Sequence, residues 1–361
     1  MIYRVIGIMS GSSLDGLDIV YTTLEEQSGK WTYQIIASDC IAFDAVLKSE
    51  LHNAAQLEVP EYLLLHTRFG RFIGEQINRF IQNNELEHKV HFIASHGHTV
   101  FHSPSKFTSV QIGDGATISA VTGLPVISDL RSMDVALGGQ GAPIVPIGDQ
   151  LLFGDYDYWL NIGGIANMTA RSNDRLVAFD ICPANQMLNL LAQQLGQDYD
   201  KDGAIAARGR LLFDVLSQLN EQAYYRLPPP KSLSNEAAIA LAFPHLLESP
   251  HDIPDLLHTA VVHIADEVCS AVRLFPVLHE RPRMLITGGG AFNGFLVEKI
   301  KEQLLPLNVS VVVPDNNTVM YKEALIMALI GTLRWREEVN ILKEVTGALQ
   351  SSIGGALWMS C

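Results

Sequence analysis

Cysteine is scarce and scattered: Cys40, Cys182, Cys269 and Cys361 form no CxxC pair. That spacing gives no basis for a zinc ribbon or a dithiol redox motif, and it fits reduced thiols in a cytosolic protein. Charge is sparse too. Charged residues are 18% of the chain against 48% hydrophobic, which excludes a disordered chain and allows sizeable cores. A basic excess is missing: 25 Lys and Arg face 39 Asp and Glu, a net charge of -14, so no nucleic-acid partner is expected. No apolar run reaches the roughly 20 residues needed to span a bilayer, and no membrane partner is expected. Met1–Ile19 lacks a basic start followed by a long apolar stretch, so it reads as a strand entering a turn and not as a signal peptide.

What is present is mixed α/β patterning over 361 residues, enough for about two domains. Tyr3–Met9, Leu17–Thr22 and Trp31–Ile36 read as strands around a Gly/Ser-rich turn. In Glu61–Asn84, Phe69, Phe72, Ile73, Ile77, Phe80 and Ile81 recur at helical spacing. Val90–Ala94 reads as a strand, and Gln111–Val121 starts near a turn and becomes helical. Leu137–Pro146, LGGQGAPIVP, breaks regular structure and is the expected inter-domain crossing. Beyond it, Tyr158–Ile162, Asn167–Ala170 and Leu176–Phe179 read as strands, with helices expected at Ala204–Leu219 and Leu256–Phe275. Met284–Ile286 is a strand feeding a glycine turn and a helix from about Gly294. Val309–Val313 is a strand and Lys322–Glu338 a helix. A strand–turn–strand unit opens each half, at Gly7–Val20 and Leu160–Ala170, which suggests a weak internal duplication.

Gly7–Asp18, GIMSGSSLDGLD, is the strongest motif. Gly7, Gly11 and Gly16 permit close approach to the backbone, Ser10, Ser12 and Ser13 add hydroxyls, and successive N–H groups can cradle an anion. Asp15 and Asp18 suit a magnesium ion, directly or through water. The lysine of GxxxxGK[ST] is absent, and GxGxxG fails. An ordinary hairpin turn is the competing reading. Thr287–Asn293, TGGGAFN, can bring a phosphate or a flat ring onto a helix N-terminus, or simply connect strand to helix. Paired with the first turn, it points to a nucleotide. Asp180 ends an apolar strand, where it suits a general base or a helix N-cap. HGHTVFH, with His96, His98 and His102, matches either a zinc-ligand pattern or hydrogen-bonded imidazoles. Arg131 suits a substrate carboxylate or a structural ion pair with Asp134.

In this order the segments GIMSGSSLDGLD, SHGHTVFHSP (Ser95–Pro104), QIGDG (Gln111–Gly115), DLRSMDVALGGQGAPIVP (Asp129–Pro146), LNIGGIANMT (Leu160–Thr169), FDICPAN (Phe179–Asn185), DGAIAARG (Asp202–Gly209), TGGGAFN and VTGA (Val345–Ala348) resemble the anhydro-N-acetylmuramic acid kinase family. The resemblance implies the two-domain actin-like ATPase (ribonuclease H-like) fold with a cleft between domains at 1–150 and 151–361, the last helix packing back on the first. It implies ATP and Mg²⁺ as cofactors and a small-molecule partner, 1,6-anhydro-N-acetylmuramic acid, phosphorylated with opening of the anhydro ring in cytoplasmic cell-wall recycling. A homodimer is compatible with it. Asp180 matches the family's catalytic aspartate. The expected ATP contacts are Gly11, Ser12, Ser13, Leu14, Asp15, Gly16, Leu17, Asp18, Gly163, Gly164, Gly288, Gly289, Gly290 and Asn293. Thr99, Arg131, Asp134, Asn185 and Glu323 are the expected sugar contacts, by position and chemistry.

The chain departs from the family pattern in places. FDTGPGN is here Phe179-Asp-Ile-Cys-Pro-Ala-Asn185, a common aspartate is Asn189, HGQT is HGHT, and KSTGRE is Lys231-Ser-Leu-Ser-Asn-Glu236. The altered Asp180 loop keeps open a non-catalytic ATP-binding sensor on the same fold. A kinase for a related sugar and a zinc hydrolase built on HGHTVFH are the other readings.

Overall fold

The computed structural model describes every residue except Ser12, Ser13, Asn173, Asp174, Glu248, Leu278, Ser360 and Cys361. Its strands in chain order begin with β1 (Ile2–Ser10), β2 (Gly16–Gln27), β3 (Lys30–Ala42), β4 (Phe92–Ser103), β5 (Thr108–Ile112) and β6 (Val126–Ser128). They continue with β7 (Tyr158–Ile162), β8 (Ile165–Ser172), β9 (Arg175–Pro183), β10 (Arg283–Thr287), β11 (Ser310–Val312) and β12 (Ala356–Trp358). The chain divides into two compact units, Met1–Phe153 with Tyr321–Cys361, and Gly154–Met320.

In the first unit β1 is buried along nearly its whole length and not on alternate faces, as a strand covered on both sides must be. It sits mid-sheet, antiparallel to β2 from Ile2↔Glu25 to Met9↔Asp18 and parallel to β4. β3 continues the meander, β6 lies parallel to β4, β5 hangs on β4, and β12 closes the edge against β6. One face is covered by the helix Val59–Asn83, whose Leu65, Phe69, Ile73, Ile77 and Phe80 recur every three or four residues and are buried. They join Ile6, Ile8, Leu17, Ile19 and Ile93 in one core. Against β1 and β4 lies the helix Asn316–Trp335. A Cβ at Gly7 would overlap the carbonyl of Ala324, and one at Gly331 would overlap the Ala94 side chain.

The second unit repeats this plan. β7, β8 and β9 form an antiparallel meander, β10 lies parallel to β7 on the other side, and β11 parallel to β10. Both sheets thus carry a meander whose first strand is central, extended by parallel strands. This is the ribonuclease H-like topology occurring twice, as in the actin-like ATPase fold. The helix Ile253–Leu274 and the helix Gly294–Leu304 bury Leu257, Val261, Ile264, Leu296 and Ile300 in this unit's core.

Three expectations differ from the structure. Leu137–Pro146 is not the crossing: Gly141 N donates to Asp134 Oδ2 and Gln140 N to Thr346 O, so the segment folds into the first unit. The crossings lie at Phe153/Gly154 and Met320/Tyr321, so the second unit ends at 320 and not at 361, and the expected return of the last helix to the first unit extends to everything after it. Ala204–Leu219 is not one helix but two 3₁₀ turns followed by Phe213–Asn220. The break falls at Gly209, whose backbone is extended (φ -79°, ψ 173°) and passes so close to the Pro254 carbonyl that a Cβ there would overlap it. Among the described residues no helix is long and apolar enough to cross a membrane.

The contact at Gly7 gives a direct test. Gly7→Ala is expected to destabilise the first unit by about 2 kcal/mol or more, because the strand and helix backbones cannot separate without opening both cores. A shift of the denaturant midpoint to lower concentration, read by tryptophan fluorescence, checks it. A wild-type midpoint contradicts the close packing.

Candidate active site

The first unit holds the β1–β2 turn. Leu14 N donates to Gly11 O at 3.2 Å, and Leu14 takes a left-handed φ of 57°. Ser12 and Ser13 lie outside the described residues. Asp15 is exposed, whereas Leu17 is fully buried in the core, so Leu17 can offer a ligand its backbone but not its side chain. Gly16 is needed for packing: a Cβ there would sit 2.7 Å from Ile41 O and 2.9 Å from Cys40 Sγ. Asp18, opposite Cys40 in the β2–β3 ladder, has its carboxyl pushed up to about 6, chiefly by burial, with Glu323 and Asp15 adding like charge. The Cys40 thiol donates to Asp18 and opposes this rise; burial and Asp18 push that thiol up to about 12, so it stays protonated.

β4 and its surroundings carry the polar cluster. Arg131 Nε donates to His96 Nε2 at 2.8 Å and Nη1 to Gly141 O at 2.6 Å, while Nη2 has no hydrogen-bond partner among the described residues. His96 therefore accepts at Nε2 and donates from Nδ1 to Gly97 O at 2.9 Å. Burial, with Arg131 beside it, holds His96 neutral, down to about 3. His98 Nδ1 lies 3.1 Å from Ser10 Oγ, and His102 Nδ1 lies 3.0 Å from Ser109 Oγ. The three imidazoles thus serve three separate partners, and no set of three or more His, Cys, Asp or Glu suited to a metal occurs among the described residues. Thr99 Oγ1 accepts from Gln111 Nε2 at 3.3 Å. Asp134 is completely buried, its oxygens taken by Gly141 N at 2.8 Å and Thr346 Oγ1 at 2.7 Å, a placement that braces the glycine segment and leaves the carboxylate no free face. Glu323 is raised by burial, with Arg131 and Lys322 opposing and Asp149 adding to the rise.

In the second unit the β7–β8 turn, the helix Asn185–Gln193 and the turn after β10 meet. Ala184 N donates to Gly164 O and Asn185 N to Gly163 O, at 2.8 and 3.0 Å. Asn185 Nδ2 donates to Ile162 O at 3.1 Å. The glycines fall into two kinds. Gly288, at φ 82°, and Gly290 press on the end of β7, where a Cβ would strike Asn161, Ile162 or their backbone. Gly163, Gly164 and Gly289 meet nothing closer than 3.5 Å and keep an open backbone face. Thr287 Oγ1, buried just before the glycines, lacks a partner among the described residues. These open faces and the unpartnered hydroxyl fit a phosphate-bearing nucleotide. Asn293 instead caps the helix Gly294–Leu304, accepting from Leu296 N at 3.0 Å.

Asp180 lies near the end of β9, beside a bulge: Asn167 pairs with Asp180 and Ala166 with Cys182, leaving Ile181 as the extra residue. Such a bulge re-aims neighbouring side chains. Asp180 is not a helix cap, because the next helix starts at Asn185 with Ala184 as its cap residue. One carboxylate oxygen accepts from Leu233 N at 2.8 Å, and the other has no hydrogen-bond partner among the described residues. Burial raises the carboxyl above its ordinary value, and the Leu233 bond partly offsets that. Its own backbone is tied to Lys231 O and to the Tyr224 hydroxyl. Tyr224 and Leu233 were invisible to spacing arguments, being 44 and 53 residues downstream of the aspartate they hold.

The family model described as anhydro-N-acetylmuramic acid kinase matches residues 3–360. A protein named anhydro-N-acetylmuramic acid kinase from Francisella tularensis subsp. novicida (strain U112) is 32% identical over 372 residues, covering 98% of this chain and 97% of its own. One of the same name from Sulfurovum sp. (strain NBC37-1) is 32% identical over 372 residues, covering 99% of both. Among solved structures, component A of the (R)-2-hydroxyglutaryl-CoA dehydratase of Acidaminococcus fermentans has a TM-score of 0.48 at 14% identity, over 91% of this chain and 96% of that one. The chain is a member of the anhydro-N-acetylmuramic acid kinase family.

Proposed function

We propose that this protein converts 1,6-anhydro-N-acetylmuramic acid, ATP and water to N-acetylmuramic acid 6-phosphate and ADP, opening the anhydro ring as it phosphorylates. The observation that carries the reading is Asp180: a half-buried carboxylate at a strand end, anchored through one oxygen by Leu233 N and open at the other. That open oxygen takes a proton from water as the water attacks C1, in the manner of an inverting glycoside hydrolase. The C1–O6 bond breaks, and O6 takes the γ-phosphoryl group of ATP.

The remaining residues bind and orient. The open backbone faces of Gly163, Gly164 and Gly289 suit the phosphates. Gly11, Leu14 and Asp15 are the first unit's proposed nucleotide contacts, and Ser12 and Ser13 lie outside the described residues. Arg131 keeps Nη2 for the sugar's carboxylate, and Thr99 and Glu323 are its proposed companions on the sugar. Asn185 anchors the phosphate turn through Ile162 O. Asp18, whose carboxyl is raised by burial and by Glu323 and Asp15, fits a magnesium ion carried with ATP. Such an ion supplies neutralisation of phosphate charge. The use of ATP assigns this work to the cytoplasm.

Asp180→Asn is expected to lower sugar phosphorylation by about 10³-fold while leaving nucleotide affinity nearly unchanged. Product analysis in ¹⁸O-labelled water, with ATP, magnesium and the anhydro-sugar, checks both halves of the reaction. Label at C1 of a 6-phosphorylated sugar is expected. Nucleotide binding without turnover by the wild type identifies a sensor instead, and full activity in Asp180→Asn removes the mechanism.

The pH profile follows from the same carboxylate. A general base acts ionised, and burial raises Asp180, so kcat should climb with pH along an acid limb displaced upward from that of an ordinary aspartate. A profile already flat at pH 4 contradicts this assignment.

A further inference from the structure

One segment holds Asp180 from three directions. Asp180 N donates to Lys231 O at 3.0 Å, Leu233 N donates to Asp180 Oδ2 at 2.8 Å, and Tyr224 OH donates to Asp180 O at 2.8 Å. Between Tyr224 and Leu233 the chain has a short 3₁₀ turn, Ala223–Arg226, and the run Pro228–Pro230, so no strand ladder or α-helix fixes its shape. Lys231 supplies the missing restraint. Its ammonium donates to Tyr224 O at 3.1 Å and reaches Tyr225 O at 3.5 Å, and it lies 4.4 Å from the centre of the Tyr224 ring. A cation over an aromatic face in a half-buried site is a strong, directional contact.

The surroundings identify what this ammonium answers to. Burial opposes its charge, and Glu267, on the helix Ile253–Leu274, favours it. Tyr225 OH lies 3.0 Å from His263 Nε2, and His263 Nδ1 lies 2.5 Å from Asn220 Oδ1, which ties the far side of the turn to the same helix. Asp266 holds Asn220 in place, at 3.4 Å. Lys231 does not act on the Asp180 charge directly: burial and the Leu233 N–H set that carboxyl. Its influence runs through the backbone of the turn.

We propose that Lys231 is a positioning residue: its ammonium clamps the Tyr224–Tyr225 turn, and the clamped segment aims Asp180 at the water that attacks the sugar. This rests on the role of Asp180 given above. A misplacement of about 1 Å at a reacting group is enough to cost about 10²-fold in rate, so loosening the clamp should fall on kcat more than on binding.

The test compares Lys231→Met, Lys231→Arg, Tyr224→Phe, the Tyr224→Phe/Lys231→Met double variant and Asp180→Asn in the sugar-dependent ADP assay across pH. Lys231→Met is expected to lower kcat about tenfold or more with the KM values for sugar and ATP within about twofold. Its acid limb should move up by about half a pH unit, because a slack Leu233 N–H no longer favours the ionised carboxylate. Lys231→Arg should restore most of both. Tyr224→Phe, nearly isosteric and expected to fold even where Lys231→Met does not, should shift in the same direction, and the double variant should be no slower than Lys231→Met alone. A wild-type kcat and acid limb in Lys231→Met and Tyr224→Phe overturn the proposal, as does a fall in kcat with an unmoved acid limb, the mark of a purely structural residue. An active Asp180→Asn removes the underlying mechanism, whereas an inactive Asp180→Asn beside an unaffected Lys231→Met removes this inference alone.

Discussion

Close backbone approach, available only where a side chain is missing, is the constraint on which both units rest. In the first, Gly7 lets the helix Asn316–Trp335 lie against the central strand β1, and Gly331 lets the same helix meet β4. In the second, Gly288 and Gly290 let the turn after β10 fold onto the end of β7. Interiors are packed too densely to absorb a methyl group at such points without moving whole elements. The strands are locked from behind, and the turns that leave them, after β1, β7 and β10, emerge at fixed places. Rigidity behind a turn is what lets an open face such as that of Gly289 remain open.

The electrostatics divide along a related line. In a chain with so few charges, most of those taken inside are fully engaged. Asp134 accepts two hydrogen bonds, and the buried pair Lys322–Asp149 stands at 2.6 Å. Groups like these fix conformation, because removing one partner leaves an uncompensated charge. Asp18, Glu323 and Asp180 are different. Burial pushes each carboxyl upward with only partial compensation, and that arrangement is costly unless a ligand or a reaction makes use of it. The distinction separates Asp134, itself an expected sugar contact but committed to structure, from carboxylates whose burial is only partly compensated.

Much of the fold was legible in the sequence, for physical reasons that also explain the gaps. Strands next to glycine turns and the helix Val59–Asn83 announce themselves by apolar runs and by period, and both survive into the structure. The repeated meander was visible only as two strand–turn–strand units, since strand order is decided by pairing across long separations. Leu137–Pro146 misled because glycine and proline signal irregular backbone without saying whether it is exposed; here Asp134 and Thr346 O hold it inside one unit. Asp180 and the glycine turns could be singled out as candidates from local chemistry. Tyr224, Lys231 and Leu233 could not, since their roles arise from backbone contacts made 44 to 53 residues away from Asp180. Leu17 and Asn293 were expected as nucleotide contacts, but local pattern does not reveal that one faces the core and the other caps a helix.

The Asp180 loop carries two of the departures from the pattern the chain resembles, Cys182 and Ala184, and its geometry accommodates both residues. A glycine is indispensable where φ is positive or a Cβ would clash. Neither Cys182 nor Ala184 adopts a positive φ; Ala184 sits at φ -132°. Both side chains are fully buried in the second unit's core, so each added group fills space there and intrudes on no open face. Burial raises the Cys182 thiol well above its ordinary value, so it is a neutral filler and not a competing nucleophile beside the carboxylate. Side chains at both positions restrict the backbone more than glycine would, so the substitution makes the loop stiffer. The Leu233 N–H and the Tyr224 hydroxyl hold Asp180 from outside the loop, through contacts that involve neither position 182 nor position 184.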